Sequence, residues 1–359
     1  MGYALPLLAE RPTGQRPARP PPAPLAALHP GRMIDAHGRT IRDLRLSLTD
    51  RCNFRCVYCL EPHARFMRRL DLLTDDELVR AAAACVRLGV EKIRLTGGEP
   101  TLHPRLTSII ARVAALGVAD LALTTNGSRL EPASLAQWRH AGLTRITVSL
   151  DSVRPDRFAA ITRSHATPGQ VIDGVRRAIH AGFAPVKINT VLMRGFNDDE
   201  IIPLAALARE LGVEVRFIEF MPLDDARTWD RSLVVPASET LDRVAARWPL
   251  IPEGRDADSA TALNFAFADG APGRIGLIAP VTRPFCGQCS RLRITADGKV
   301  RPCLFSAQEW DLRPLLRQAA TDDELDRFLI DATWTKQAGH GIDSAAFRQP
   351  ERPMSAIGG

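Results

Sequence analysis

The 359-residue sequence predicts an α/β fold, an incomplete (β/α)6 TIM-like barrel with a smaller C-terminal unit. Two observations predict it. Short Leu-rich or β-branched runs alternate six times with helical stretches, and the alternation stops near residue 255. Successive βα units imply parallel strands joined by right-handed crossovers. Six units suit an open barrel better than a closed eight-unit one. A doubly wound sheet is the alternative, since strand order is not written in the pattern.

The strands are expected at 44–49, 92–96, 120–124, 145–150, 186–192 and 213–220. Thr74-Asp75-Asp76-Glu77 reads as a capping box opening a helix that Gly89 ends. Helices at about 104–116, 132–141, 169–181 and 198–211 end on Gly117, Gly142, Gly182 and Gly212. Residues 253–273, rich in Asp, Ala and Gly, read as a loop. Strands at 274–278 and 292–295 follow, then an Asp297-Gly298 turn into a strand at 300–304, and helices near 310–319 and 322–333. The expected division is an extension over 1–37, the barrel over 38–255 and a C-terminal unit over 256–359.

The extension holds eight prolines, including the run Pro20-Pro21-Pro22. Proline removes donors and few apolar side chains remain to bury, so disorder is expected there. Charged residues make up 25% and apolar ones 45%, an ordinary globular balance. The net charge of +6 suits a nucleic acid, a membrane surface or an anionic small molecule. No apolar run approaches the roughly 18–20 residues that span a bilayer. No export signal is recognisable, so a cytoplasmic location is expected. Thiols stay reduced there, and seven cysteines then point to metal or catalysis.

Cys52, Cys56 and Cys59 form a C-x3-C-x2-C group directly after the first strand, where parallel α/β folds build their sites. Three thiolates favour a soft metal. Structural zinc wants four ligands, and only the isolated His63 lies nearby. A 4Fe–4S cluster on three thiolates keeps one iron open for a ligand. Cys286, Cys289 and Cys303 repeat this situation as C-x2-C-x13-C, with zinc again the alternative. Cys85, in an Ala-rich helix, reads as a packing residue. Arg291 and Arg293 alternate onto one strand face beside the second group. Arg45, Arg94 and Lys187 sit inside otherwise apolar strands and need a partner or a wet cavity. A polyphosphate would satisfy several of these cations together.

The first cysteine group, with Tyr58 before its last cysteine, resembles the radical S-adenosylmethionine superfamily. Gly97-Gly98-Glu99-Pro100 resembles that superfamily's seat for the methionine amino group. Further elements are Leu44-Arg45-Leu46-Ser47-Leu48-Thr49-Asp50-Arg51, Thr124-Thr125-Asn126-Gly127, Val148-Ser149-Leu150-Asp151, Glu219-Phe220-Met221, the second cysteine group and the terminal Gly358-Gly359. With these, the sequence from about residue 38 to 359 resembles the GTP 3′,8-cyclase family.

That resemblance implies a radical S-adenosylmethionine barrel carrying two 4Fe–4S clusters. It implies that Tyr58, Gly98, Ser149 and Met221 contact S-adenosylmethionine. Arg45, Arg94, Thr125, Lys187, Arg291, Leu292 and Arg293 would hold GTP, with its guanine on the open iron of the C-terminal cluster. Gly358 and Gly359 would reach into the active site and be needed for catalysis. The implied reaction is a lyase reaction, the first step of molybdenum cofactor biosynthesis: a 5′-deoxyadenosyl radical takes hydrogen from C3′ of GTP, and C3′ bonds to C8. The implied partners are a flavodoxin-like electron donor and the next enzyme, cyclic pyranopterin monophosphate synthase. No nucleic acid or membrane is expected, and the chain would be a monomer or homodimer. The long extension and Leu60-Glu61-Pro62 depart from the family pattern. Two rivals remain at this stage. One is a peptide-maturing radical enzyme with an auxiliary cluster. The other is a zinc-dependent nucleic-acid-binding protein, which leaves Gly97-Gly98-Glu99-Pro100 unexplained.

Overall fold

The computed structural model describes residues 19–24, 31–318, 320–345 and 347–358. Six strands occur where the alternation places them: β1 (Asp43–Ser47), β2 (Lys92–Thr96), β3 (Asp120–Thr125), β4 (Arg145–Ser149), β5 (Val186–Leu192) and β6 (Glu214–Glu219). All five successive pairings among them are parallel, in the order 1-2-3-4-5-6. Nowhere does the order reverse, which rules out the doubly wound alternative and leaves the open barrel.

Helices α1 (Asp75–Arg87), α2 (Leu106–Ala114), α3 (Pro132–His140), α4 (Pro155–Thr162), α5 (Pro168–His180) and α6 (Ile201–Leu211) follow the successive strands. In α1 the Thr74 hydroxyl accepts from the Glu77 N–H while the Glu77 carboxylate accepts from the Thr74 N–H. Strand alternation then separates two faces. Leu44, Leu46, Ile93 and Leu95 are essentially unexposed in the core, while Arg45 and Arg94 point the other way, into the barrel.

The remaining strands extend this sheet at both edges. β7 (Leu250–Gly254), β8 (Leu263–Phe267) and β9 (Arg274–Ile278) join at the β6 side, β9 parallel to β6. β10 (Arg291–Ile294), β11 (Lys299–Arg301) and β12 (Trp310–Asp311) join at the β1 side, β10 parallel to β1. Residues 279–290 therefore run from β9, beside β6, to β10, beside β1. The sheet continues unbroken past residue 255, where a domain boundary was expected.

Some local expectations are corrected. Residues 253–273 are not all loop: β8 buries Phe265 and Phe267 against the core, a pattern masked by the small residues around it. Helices α4 and α7 (Ala237–Arg247) were not anticipated. The strand expected at 300–304 ends at Arg301, because Pro302 has no N–H to continue the ladder. Trp310 and Asp311 pair as β12, leaving α8 only Arg313–Arg317, before α9 (Asp322–Trp334) and α10 (Met354–Ile357). Part of the extension expected to be disordered is packed. Ala23 is buried and donates to Asp331 at 2.8 Å, Arg327 donates to the Ala23 carbonyl, and Met33 is fully buried. Residues 1–18 and 25–30 lie outside the described residues. Among the described residues no helix is long and apolar enough to cross a membrane.

Candidate active site

The inward faces of the strands enclose a cavity of about 390 Å³. Register stacks its wall in layers. Arg293, Arg45 and Arg94 are partners across β10, β1 and β2, three guanidiniums side by side. Thr124, Thr147 and Lys187 are partners across β3, β4 and β5, and Arg94 donates to both threonine hydroxyls at 2.9 and 3.1 Å. Above the arginines, Ser47 and Thr96 form the next inward layer.

These cations are arranged against one another. Among the described residues, Arg45, Arg94, Arg291 and Arg293 have no carboxylate in ion-pair contact. Burial, then Arg293, Arg94 and Arg291, pull Arg45 well below the usual arginine range. Burial and Arg291 bring Arg293 down to about 10, and its Nε is buried without an acceptor. Arg291 donates to the Ser259 carbonyl at 3.1 Å and lies over the Phe285 ring. Lys187 differs, since its Nζ meets Glu214 at 2.8 Å and Asp256 at 3.8 Å. Burial, countered by Arg216 and Lys187, leaves the Glu214 carboxyl at about 2.

The first cysteine group stands at the carboxyl end of β1. Burial pushes the Cys52 thiol up to about 11 and, with Cys52 beside it, the Cys59 thiol up to about 12. Cys56 is raised by burial, then by Asp151, Cys59 and Cys52. Half-buried thiols this close, two of them raised by a neighbouring cysteine, become thiolates together only around a shared cation. Among the described residues no group of three His, Cys, Asp or Glu side chains closes on a single metal ion. Three soft thiolate donors in one short loop fit a 4Fe–4S cluster by their chemistry. Tyr58, Ser149 and Met221 line the cavity at this end, and the Tyr58 hydroxyl donates to Asp151 at 2.7 Å.

The glycines after β2 serve the chain itself. A Cβ on Gly98 would lie 2.4 Å from the Arg51 carbonyl, and one on Gly97 2.3 Å from that of Thr49. Gly98 and Glu99 donate to the Thr49 and Arg51 carbonyls, each at 2.7 Å, so this turn holds the backbone that leads into Cys52. The Glu99 carboxylate accepts from Thr101, Thr125 and Asn126. Thr125 is thus committed to Glu99 and does not line the cavity; Thr124 does. Leu292 does not line it either, its side chain being fully buried in the core.

Cys286, Cys289 and Cys303 all line the cavity. Burial raises the Cys289 thiol, but Arg291 and Lys336 overcome this and bring it to about 6. A thiol so readily ionised suits metal ligation. Arg39, paired with Asp35, donates to the Cys286 carbonyl at 2.8 Å. The tail reaches toward both groups: Ser355 in α10 hydrogen-bonds to the Cys59 thiol, Met354 packs against the same small apolar cluster as Cys303, and Gly358 lies on Ser47 and Thr96. Gly359 lies outside the described residues. Sequence reasoning did not single out Asp151, Asn189, Arg216, Lys336 or His340 as site residues. A charged or polar residue in an apolar strand was a usable signal for Asn189 and Arg216 alone.

Comparisons with known proteins agree with this architecture. Residues 46–208 match the family model of the radical SAM superfamily, and residues 213–342 match that of Molybdenum Cofactor Synthesis C. A Streptomyces coelicolor protein named GTP 3′,8-cyclase is 48% identical over 91% of this chain and 96% of its own. A Paenarthrobacter nicotinovorans protein of the same name is 44% identical over 91% of this chain and 97% of its own. Streptococcus suis SuiB, solved bound to S-adenosylmethionine, aligns with a TM-score of 0.59 at 12% identity. That alignment covers 80% of this chain and 67% of SuiB, a likeness of fold alone. The two family models, the identity to relatives along nearly the whole chain and the paired cysteine groups lead to one conclusion: the chain belongs to the GTP 3′,8-cyclase family of the radical S-adenosylmethionine superfamily.

Proposed function

We propose that the chain converts GTP to (8S)-3′,8-cyclo-7,8-dihydroguanosine 5′-triphosphate, the first step of molybdenum cofactor biosynthesis. One observation carries this reading. The row Arg293, Arg45 and Arg94 faces a cavity that Tyr58, Ser149 and Met221 line at one end and Cys286, Cys289 and Cys303 at another. Unpaired guanidiniums facing a cavity call for an anion, and phosphate oxygens match their planar donors.

When bound, the first cluster and S-adenosylmethionine supply the radical chemistry that removes hydrogen from C3′ of GTP. The chain's own residues bind, orient and exclude water. Arg45, Arg94 and Lys187 neutralise the phosphates, while Arg291 and Arg293 steer the nucleotide toward the second cysteine group. Tyr58, Ser149 and Met221 hold S-adenosylmethionine. Gly98 shapes the turn beneath that ligand, and Thr125 acts at one remove by fixing Glu99. Gly358 closes the barrel mouth against Ser47 and Thr96, and Gly359 is needed with it for catalysis. The chemistry also requires a low-potential electron donor, of the flavodoxin type, and an acceptor of the product, cyclic pyranopterin monophosphate synthase. Both belong to a reducing cytoplasm.

The test is anaerobic reconstitution with iron and sulfide, followed by dithionite, S-adenosylmethionine and GTP. The expected products are methionine, 5′-deoxyadenosine and the cyclised nucleotide. Release of 5′-deoxyadenosine with GTP unconsumed would sink the substrate assignment. Fewer than about eight irons per chain would count against two four-iron clusters.

A further inference from the structure

Lys336 carries a buried charge that no carboxylate among the described residues balances. It lies just beyond α9, is 3% exposed and makes no ion pair among the described residues. Its Nζ donates to the Arg291 carbonyl at 2.7 Å and to the Pro302 carbonyl. Those carbonyls lie two residues after Cys289 and one before Cys303. A buried ammonium is strongly disfavoured unless an opposite charge stands near. The favourable charges that act on it are Cys289 and Cys303, while Arg293 and Arg291 act against it. Three cations therefore surround two thiols, an excess that only an anionic group held there would balance. Arg39 offers the contrast. It too donates to a carbonyl of this cysteine group, but Asp35 at 2.6 Å cancels its charge.

We propose that Lys336 is a positioning residue and the counter-charge of the C-terminal iron–sulfur cluster, joining the Cys289 and Cys303 segments and raising the cluster's reduction potential. The inference rests on the two-cluster reading above. A fixed positive charge favours the more negative, reduced cluster, and such charges and hydrogen bonds set cluster potentials. The two carbonyl contacts fix the spacing between the Cys289 and Cys303 segments.

The experiment uses the full chain with Cys52, Cys56 and Cys59 replaced by alanine, so that the C-terminal cluster is read alone. After anaerobic reconstitution, iron is counted and the cluster is titrated by absorbance and electron paramagnetic resonance. Lys336→Gln keeps donors but removes the charge. It should retain iron, with the reduced-to-oxidised ratio at a fixed potential about tenfold lower, equivalent to about 59 mV for one electron. Lys336→Arg should titrate within about threefold of the parent. Loss of iron in Lys336→Gln with retention in Lys336→Arg would also support the proposal, since charge would then be needed for assembly. A Lys336→Gln titration matching the parent would overturn it, as would loss of iron in both variants. A parent that holds no cluster would overturn the two-cluster reading itself, and this proposal with it.

Discussion

Gly358 stands directly against Ser47: a Cβ there would lie 2.5 Å from the Ser47 Oγ and 2.9 Å from the Thr96 Oγ1. Both hydroxyls belong to the inward layer above Arg45 and Arg94, so the end of the chain sits over the cation row. Gly358 also has φ +75°, which costs other residues about 1–3 kcal/mol. Gly358→Ala should therefore displace the tail. Formation of the cyclised nucleotide should fall about tenfold or more, with little change in the thermal midpoint. An undiminished cyclisation rate would show that the contact is dispensable.

The cation row makes a prediction with two signs. Arg45 is surrounded by Arg293, Arg94 and Arg291, so in the ligand-free protein it is a source of repulsion. Arg45→Met removes that repulsion together with a phosphate partner. A charge-assisted hydrogen bond is worth about 1.5–3 kcal/mol, so the GTP dissociation constant should rise roughly tenfold to a hundredfold. The thermal midpoint without GTP should hold or rise. Calorimetric titration and a melting curve read the two effects separately. A lower midpoint without GTP would mean that Arg45 has a structural role.

The six barrel strands were legible because each is a continuous apolar run between strong punctuation. The capping box at Thr74 and the glycines that end α1, α2, α3, α5 and α6 left little freedom in between. Arg45 and Arg94 were legible for the opposite reason, as charges out of place in such runs. What was hidden depended on contacts distant in sequence. Nothing near Pro22 announces that Asp331, 308 residues away, will hold Ala23. Phe265 and Phe267 become a strand because β7 and β9 are there to pair with it on either side. The resemblance puts Gly98 against S-adenosylmethionine, and what the motif does not tell is that a Cβ there would first meet the chain's own Arg51 carbonyl. Thr125 and Leu292 show the limit of alternation. Neighbouring residues on a strand face opposite ways, so a motif names a stretch without saying which of its side chains faces the site.

The backbone contact under Gly98 is rigid on both sides. A Cβ would meet the carbonyl oxygens of Arg51 at 2.4 Å and Asp50 at 2.5 Å, and neither can rotate away as a side chain would. Gly98→Ala should shift the segment leading into Cys52 and spoil the first cysteine group alone. Iron after reconstitution should drop from about eight to about four per chain, with the C-terminal cluster intact. Gly169→Ala serves as the control, since the nearest atom to its Cβ, the Thr167 hydroxyl oxygen, would be 3.9 Å away. Equal iron in both variants would refute the assignment of Gly98 to the first group.

Lys187 supplies a pH dependence whose sign follows from its surroundings. Burial, then Arg216, pull its ammonium down to about 8, although Glu214 at 2.8 Å resists. The protonated form is the one that binds phosphate, and it predominates below that value. GTP affinity should therefore be level through neutral pH and weaken as pH rises through about 8, approaching a tenfold loss per unit at most. Bound GTP would in turn raise the lysine's pKa, so the loss of affinity levels off once pH passes the higher value in the complex. Lys187→Arg keeps its charge across this range and should flatten the profile. Binding measured between about pH 6.5 and 8.8, in wild type and Lys187→Arg, distinguishes this from a general effect of pH on the nucleotide, which would bend both curves alike.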